Sequence, residues 1–261
     1  LIHWMYFRKR PWAHHLMLAL CWLARPSTIN PWIRRELHFE HHKASGTEQD
    51  REERGITNGE RWGLARMLML GDAGFSAWWR IRRVPDPATR RKLWARFAAI
   101  YFPLGWIHWG LWYLFLIVHA VMAVADLAGV AISGSPAALG AIATLDALVV
   151  VWIAPNVLRS FCLHFVSSNM HYYGDVEAGN VIQQTQVLNP WWLLPFQAFC
   201  FNFGSTHAIH HFVVKEPFYI RQLTAGRAHQ VMREMGVRFN DTGTFSRANR
   251  WNIDASARTA A

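Results

Sequence analysis

The chain of 261 residues is 52% hydrophobic, carries 15 tryptophans and 16 phenylalanines, and has a formal net charge of +10. That is too apolar for ordinary soluble domains of this length. All 27 Lys and Arg lie at or before Arg96 or at or after Arg159, so the charge flanks an apolar block. It reads as membrane-flanking and donor-docking charge, and it excludes nucleic acid as a partner.

In chain order, residues 1–12 hold His3 and a basic cluster, Arg8-Lys9-Arg10, closed by Pro11. This reads as the end of a helix leaving a membrane, with Trp4, Tyr6 and Trp12 at headgroup level. The apolar run 13–24 is too short to span and is expected to be interfacial or re-entrant, with His14 and His15 as interfacial side chains. Pro26 and Pro31 punctuate a turn before His38-Phe39-Glu40-His41-His42. The acid-rich run Glu48–Arg54 that follows has two readings, a solvated loop or carboxylates that orient ligating imidazoles. Residues 61–83 alternate apolar groups with Arg61, Arg66, Arg80, Arg82 and Arg83, the pattern of one amphipathic helix on a membrane surface.

From Phe97 to Leu158 there is no basic residue, and the only acids are Asp126 and Asp146. Residues 97–125 predict a helix of about 43 Å, enough to cross a bilayer. Ser133-Gly134-Ser135-Pro136 predicts the reversal, and a second span runs over about 137–160 with a kink at Pro155. Both outer ends of this hairpin are basic, which places them in the cytoplasm. His108 and His119, inside the first span, are candidates for lining a substrate channel, against a packing role or, less favoured, ligation of a haem. His164 and His171 share a helix face. After an interfacial segment from Pro190 comes His207-Ala208-Ile209-His210-His211, and then a basic tail with a helix around Thr224–Met235 and a surface His229. Cys21, Cys162 and Cys200 have no regular spacing and are read as reduced, buried thiols.

The two HxxHH boxes carry the chemistry. On a helix, residues three and four apart share a face, so two imidazoles reach one metal and the adjacent histidine turns toward a second. Neutral imidazole is a preferred ligand for iron, copper, zinc and nickel. The expected fold class is all-α. It is a single integral-membrane helical domain over residues 1–261, with a two-helix transmembrane hairpin, interfacial amphipathic helices and a cytoplasmic histidine-rich cap.

Two HxxHH boxes beside a membrane hairpin resemble the integral-membrane fatty acid desaturase and hydroxylase superfamily over essentially the whole chain. There, three histidine boxes and one further histidine bind a non-haem di-iron centre. The resemblance implies His38, His41 and His42 as the middle box, His207, His210 and His211 as the last, and His171 as the additional ligand in its Met-His-Tyr-Tyr-Gly setting. His3 stands where the first box ends. Its partner four residues earlier would precede Leu1, so the resemblance implies an N-terminal truncation that removes the first spanning helices and one ligand. Acyl-CoA desaturases place an Asn where Ser167 stands; Ser167 could hold a water, and His164 is a candidate substitute ligand.

The resemblance implies an oxidoreductase in which two iron ions use O2 and two electrons to desaturate a fatty acyl chain. Hydroxylation and oxidative decarboxylation start from the same hydrogen abstraction and stay open. The histidines are ligands, and no side chain is assigned an acid or base role. An apolar tunnel would set which carbon reacts. An acidic donor such as a ferredoxin, a rubredoxin or a cytochrome b5-like protein would supply electrons. The expected site is the bacterial inner membrane, among its lipids, with the boxes cytoplasmic. Two rival readings are a non-catalytic membrane subunit whose histidines hold haem or a structural metal, and a zinc hydrolase. The hydrolase wants three ligands and an open position, fewer than the eight candidate histidines here.

Overall fold

A computed structural model describes residues 7–47, 49–50 and 62–253 of the chain. The described residues are mostly helical, and their only β pairings are isolated bridges, such as His171 with Thr185. Two helices are long and apolar enough to cross a membrane. One is α6, Leu104–Leu127; the other is a continuous 35-residue run from Pro136 to Met170. None of the most apolar stretch of α6 is buried in protein. An apolar helix left uncovered by its own chain suits a lipid environment, since its backbone groups are satisfied internally.

The first span is shorter than its composition suggests. Residues 97–101 belong to a separate helix, α5 (Pro87–Tyr101), and the chain breaks at Phe102-Pro103 before α6 begins. Pro103 has no N–H to give and disfavours a helical residue before it, so an unbroken apolar block conceals two helices. The turn at Ser133–Pro136 is where the sequence puts it. Ser135 Oγ accepts the amide of Ala138 at 3.2 Å, and Pro136 opens α7 (Pro136–Leu148) at the position where proline is preferred.

The second span continues past residue 160. A five-residue π turn, Val149–Ile153, joins α7 to α8, Ala154–Met170. It ends two residues before Pro155, whose missing donor disrupts regular α-helical bonding there. At 1.5 Å per residue the run is about 52 Å long, roughly 20 Å more than a bilayer core. The surplus forms a post standing out of the apolar layer, and its last turn carries Ser167 and leads into His171.

Helix α1, Pro11–Ala24, docks on this post. Trp152 Nε1 donates to Leu23 O at 2.8 Å, and Asn156 Nδ2 donates to Ala24 O at 3.0 Å. Its opposite side exposes Trp12, Leu16 and Leu20, as an interfacial helix does. Residues 62–83 form two helices instead of one, α3 (Leu64–Gly71) and α4 (Ala73–Ile81). Asp72 breaks them, its carboxylate accepting the Phe75 amide at 2.7 Å. Arg66 is buried at 1% exposure, contrary to the surface expectation, because its guanidinium binds Ser168 O at 2.8 Å and Asn249 Oδ1 at 2.7 Å.

The remaining helices are α2 (Pro31–Ala44), the short α9 (Val181–Gln184), α10 (Leu194–Phe199), α11 (Phe203–Phe212) and α12 (Phe218–Glu234). Val166, Met170, Leu188, Leu193, Ile209 and Met232 make the main core where α8, α11 and α12 meet. Each such side chain contributes on the order of 1.5–3 kcal/mol on full burial. This core fixes α11 against the end of the post.

Candidate metal centre

Helix α2 starts on Asn30, whose side chain accepts the Trp32 amide at 3.1 Å, with Pro31 at its first position. Its last turn holds His41 and His42. The chain then turns through Gly46 at φ +79°, where a Cβ would crowd Tyr172 O and Val176. Helix α11 follows Asn202, which adopts the left-handed region at φ 53°. Its second residue, Gly204, packs against Leu188 O and the Gln197 side chain, leaving no room for a Cβ. His229 is buried and not at the surface, because its Nε2 meets Ser205 O at 2.7 Å and holds the first turn of α11.

The two boxes interlock. His38 and His42, one turn apart on α2, gather with His210 of α11 into a group whose ligand nitrogens lie within 4.8 Å of one another. His41 of α2 gathers in the same way with His211 of α11 and with His171 at the end of α8. His207 joins the second group, its Nε2 3.0 Å from that of His171 and 3.2 Å from that of His211. Each HxxHH box therefore sends its i, i+4 pair to one group and its middle histidine to the other. That follows from helical spacing. His42 and His210 meet Nε2 to Nε2 at 3.1 Å. His3, Glu48 and residues 51–54 of the acid-rich run lie outside the described residues.

Oxygen acceptors on the far side of the second group fix its tautomers. His41 Nδ1 faces the buried carboxylate of Asp50 at 2.8 Å, His171 Nδ1 faces Ser167 O at 3.0 Å, and His211 Nδ1 faces Gln184 Oε1 at 3.3 Å. In each case the acceptor takes the Nδ1 hydrogen and leaves the Nε2 lone pair pointing into the group, the arrangement metal-ligating histidines need. The donor set fits a metal cation. Several imidazole nitrogens converge at short range, and a metal cation would accept their lone pairs together. Asp50 comes from the acid-rich run, in the orienting role that one sequence reading gave that run. Asp50→Ala is expected to weaken metal binding by about 10- to 100-fold. A chelator competition titration checks this, and unchanged affinity would contradict it.

Burial, and after it the neighbouring His171, hold both His207 and His211 well below the usual 6.5. They are neutral, ligand-competent bases at pH 7. In the metal-free protein their folded-state values lie below their unfolded ones, so below about pH 6.5 the unfolded chain binds more protons than the folded chain. Stability is therefore present above that pH and is lost as it falls. The melting temperature of chelated protein is expected to drop between pH 7.5 and pH 5.5, and a flat profile would contradict the assignment.

Other sequence candidates fall elsewhere. His164 Nδ1 lies 3.0 Å from Leu70 O and the residue belongs to neither group, although it lines the adjoining cavity. Ser167 Oγ is 3.3 Å from His171 Nδ1, so it touches the ring nitrogen that points away from the group. His108 is buried in α6, and His119 Nε2 pairs with Asp146 at 2.8 Å across the hairpin. Neither lines the cavity beside the centre. Cys162 and Cys200 are buried free thiols and Cys21 is partly exposed. Gln184 and Asn249 escaped sequence reasoning, since each contacts its histidine from a distant segment with no local spacing to mark it.

A lipid-suited helical hairpin capped by two interlocked histidine groups defines an integral-membrane helical protein with histidine groups that could hold metal. The family model for fatty acid desaturases matches residues 1–243, and the chain belongs to that family. It is thus an oxidoreductase of the fatty acyl desaturase or hydroxylase type. No curated protein and no solved structure matches the chain.

Proposed function

We propose that the protein is a non-haem di-iron enzyme that uses O2 and two electrons to desaturate a fatty acyl chain. The observation that carries this reading is the division of the described box histidines into two groups at one place, His38, His42 and His210 in one and His41, His171, His207 and His211 in the other. When bound there, two irons supply activation of O2 and removal of hydrogen from an unactivated C–H bond. The chain's own residues hold and orient. Asp50, Ser167 O and Gln184 lock three imidazoles, and burial keeps His207 and His211 unprotonated. The adjoining apolar wall, with Leu18, Trp22 and Leu163, would align an acyl chain beside the histidines.

Electrons would come from an acidic donor protein docking on the exposed cations of α5, Arg91, Lys92 and Arg96. Reduction that does not slow with rising salt would count against that docking. The histidine groups and their donor would face the cytoplasm, as expected for the bacterial inner membrane. Metal analysis of the purified full-length chain tests the centre. About two irons per chain support it; one zinc, haem or no metal in folded protein would overturn it. Gas chromatography of lipids from expressing cells then separates desaturation from hydroxylation and from oxidative decarboxylation.

A further inference from the structure

A strongly basic corner lies where the chain approaches its first span. Between Arg80 and Arg96 seven residues are Lys or Arg and one, Asp86, is acidic. That carboxylate caps α5, accepting the Ala88 amide at 3.2 Å and the Thr89 amide at 2.8 Å. The corner is tied to the span. Arg90 Nη1 closes the turn between α4 and α5 on Val84 O at 3.3 Å, and Trp106 Nε1 in the first turn of α6 donates to Ala98 O at 3.0 Å. Tyr113, farther along α6, donates to Asp72 Oδ2 at 2.6 Å and so holds the start of α4.

Arg82, just past the last turn of α4, is exposed and lies over two indoles. Its guanidinium carbon is 3.9 Å from the ring centre of Trp79 and 4.5 Å from that of Trp78. Arg83 lies over Trp79 at 4.7 Å, and Trp78 is 44% exposed. Stacking occupies the faces of a guanidinium and not its N–H edge, the part that grips phosphate oxygens. Among the described residues Arg82 makes no side-chain hydrogen bond, so that edge is open to a ligand. Indoles favour the headgroup level of a bilayer, and basic clusters beside a span attract anionic phospholipid. A soluble acidic partner needs charges standing in water, as on α5; charges laid on indoles at the foot of a span meet a headgroup.

We propose that the corner between α4 and α5 seats an anionic phospholipid. Arg82 grips the headgroup phosphate, Arg83 adds to the positive field, and Trp78 lies against the glycerol and upper acyl chain. The seat needs no assumption about the chemistry at the histidines, and it is separate from Arg91, Lys92 and Arg96, the cations given to the electron donor.

The full chain in detergent is titrated with phosphatidylglycerol and with phosphatidylcholine of identical acyl chains. Binding is read by native mass spectrometry and by the melting temperature. Phosphatidylglycerol is expected to bind saturably and to raise the melting temperature, and phosphatidylcholine at the same concentrations to do neither. Arg82→Gln should weaken phosphatidylglycerol by about five- to tenfold, the effect of one cation at a membrane surface. Arg82→Lys should fall between, since an ammonium keeps the charge and loses the fork. Arg227→Gln, at an exposed position on α12, should bind as the wild type does. Equal binding of the two lipids, or an Arg82→Gln protein that binds like the wild type, would overturn the seat. So would an equal loss in Arg227→Gln, which would reduce the effect to net charge. Displacement of phosphatidylglycerol by millimolar inorganic phosphate would overturn the lipid assignment in favour of a soluble anion. Should Arg82→Gln melt below the wild type without lipid, salt dependence in the wild-type chain carries the test. Affinity for phosphatidylglycerol is expected to fall as salt rises, and salt-insensitive binding would overturn the seat.

Discussion

On the proposed di-iron reading, His207→Ala is expected to empty the centre of much of its metal and to reduce acyl oxidation by well over 100-fold, more than the 10- to 100-fold expected on removing an orienting partner such as Asp50. The reason is position. His207 Nε2 lies 3.0 Å from His171 Nε2 and 3.2 Å from His211 Nε2, so it faces two other members of its group at close range. Its ring stacks on Phe203 with centroids 4.1 Å apart, which fixes its direction. Truncation removes one lone pair from the group and opens a void beside the others. His164→Ala is the informative control. That ring is tied to Leu70 O outside both groups, so the variant should keep its iron, and a loss would instead make His164 a ligand. Iron per chain and product yield are read on the same preparations. Full iron and full turnover in His207→Ala would contradict the proposed ligand set.

The two boxes were legible because their information is local. A spacing of three and four residues on a helix decides which histidines diverge and which stay together, whatever the rest of the chain does. The hairpin was legible from its charge gap, since lipid excludes Lys and Arg from Phe97 to Leu158. What the sequence hid depends on distant partners. Arg66 looks like any surface cation of an amphipathic helix until Asn249, 183 positions away, supplies its acceptor. His229 reads as solvated until Ser205 O meets it. Hydropathy alone also misplaced the start of the first span, because residues 97–101 are as apolar as α6 while belonging to α5.

Asn249→Ala is expected to lower the melting temperature by on the order of 10 °C and to cost the protein part of its iron, although Asn249 lies beyond residues 1–243 of the family match. The side chain is fully buried. Its Oδ1 accepts from Arg66 at 2.7 Å, and its Nδ2 donates to His171 O at 2.9 Å and to Ser168 O. The backbone carbonyl of Asn249 accepts from Tyr173 N at 3.0 Å, so the segment after α12 clamps both sides of His171. Asn249 also sits at φ 63°, a region asparagine tolerates better than alanine. Alanine would leave a buried guanidinium short of an acceptor and free the carbonyl of a proposed ligand. Bonds to a buried charge contribute about 1.5–3 kcal/mol each, and the lost carbonyl partners add to that. A double-mutant cycle separates clamp from bulk stability. Because Arg66 and Asn249 share one bond, the Arg66→Ala, Asn249→Ala double variant should lose less than the sum of the single losses. Strict additivity, or an Asn249→Ala protein with wild-type melting and full iron, would mean that the end of α8 holds His171 without help from the C-terminal segment.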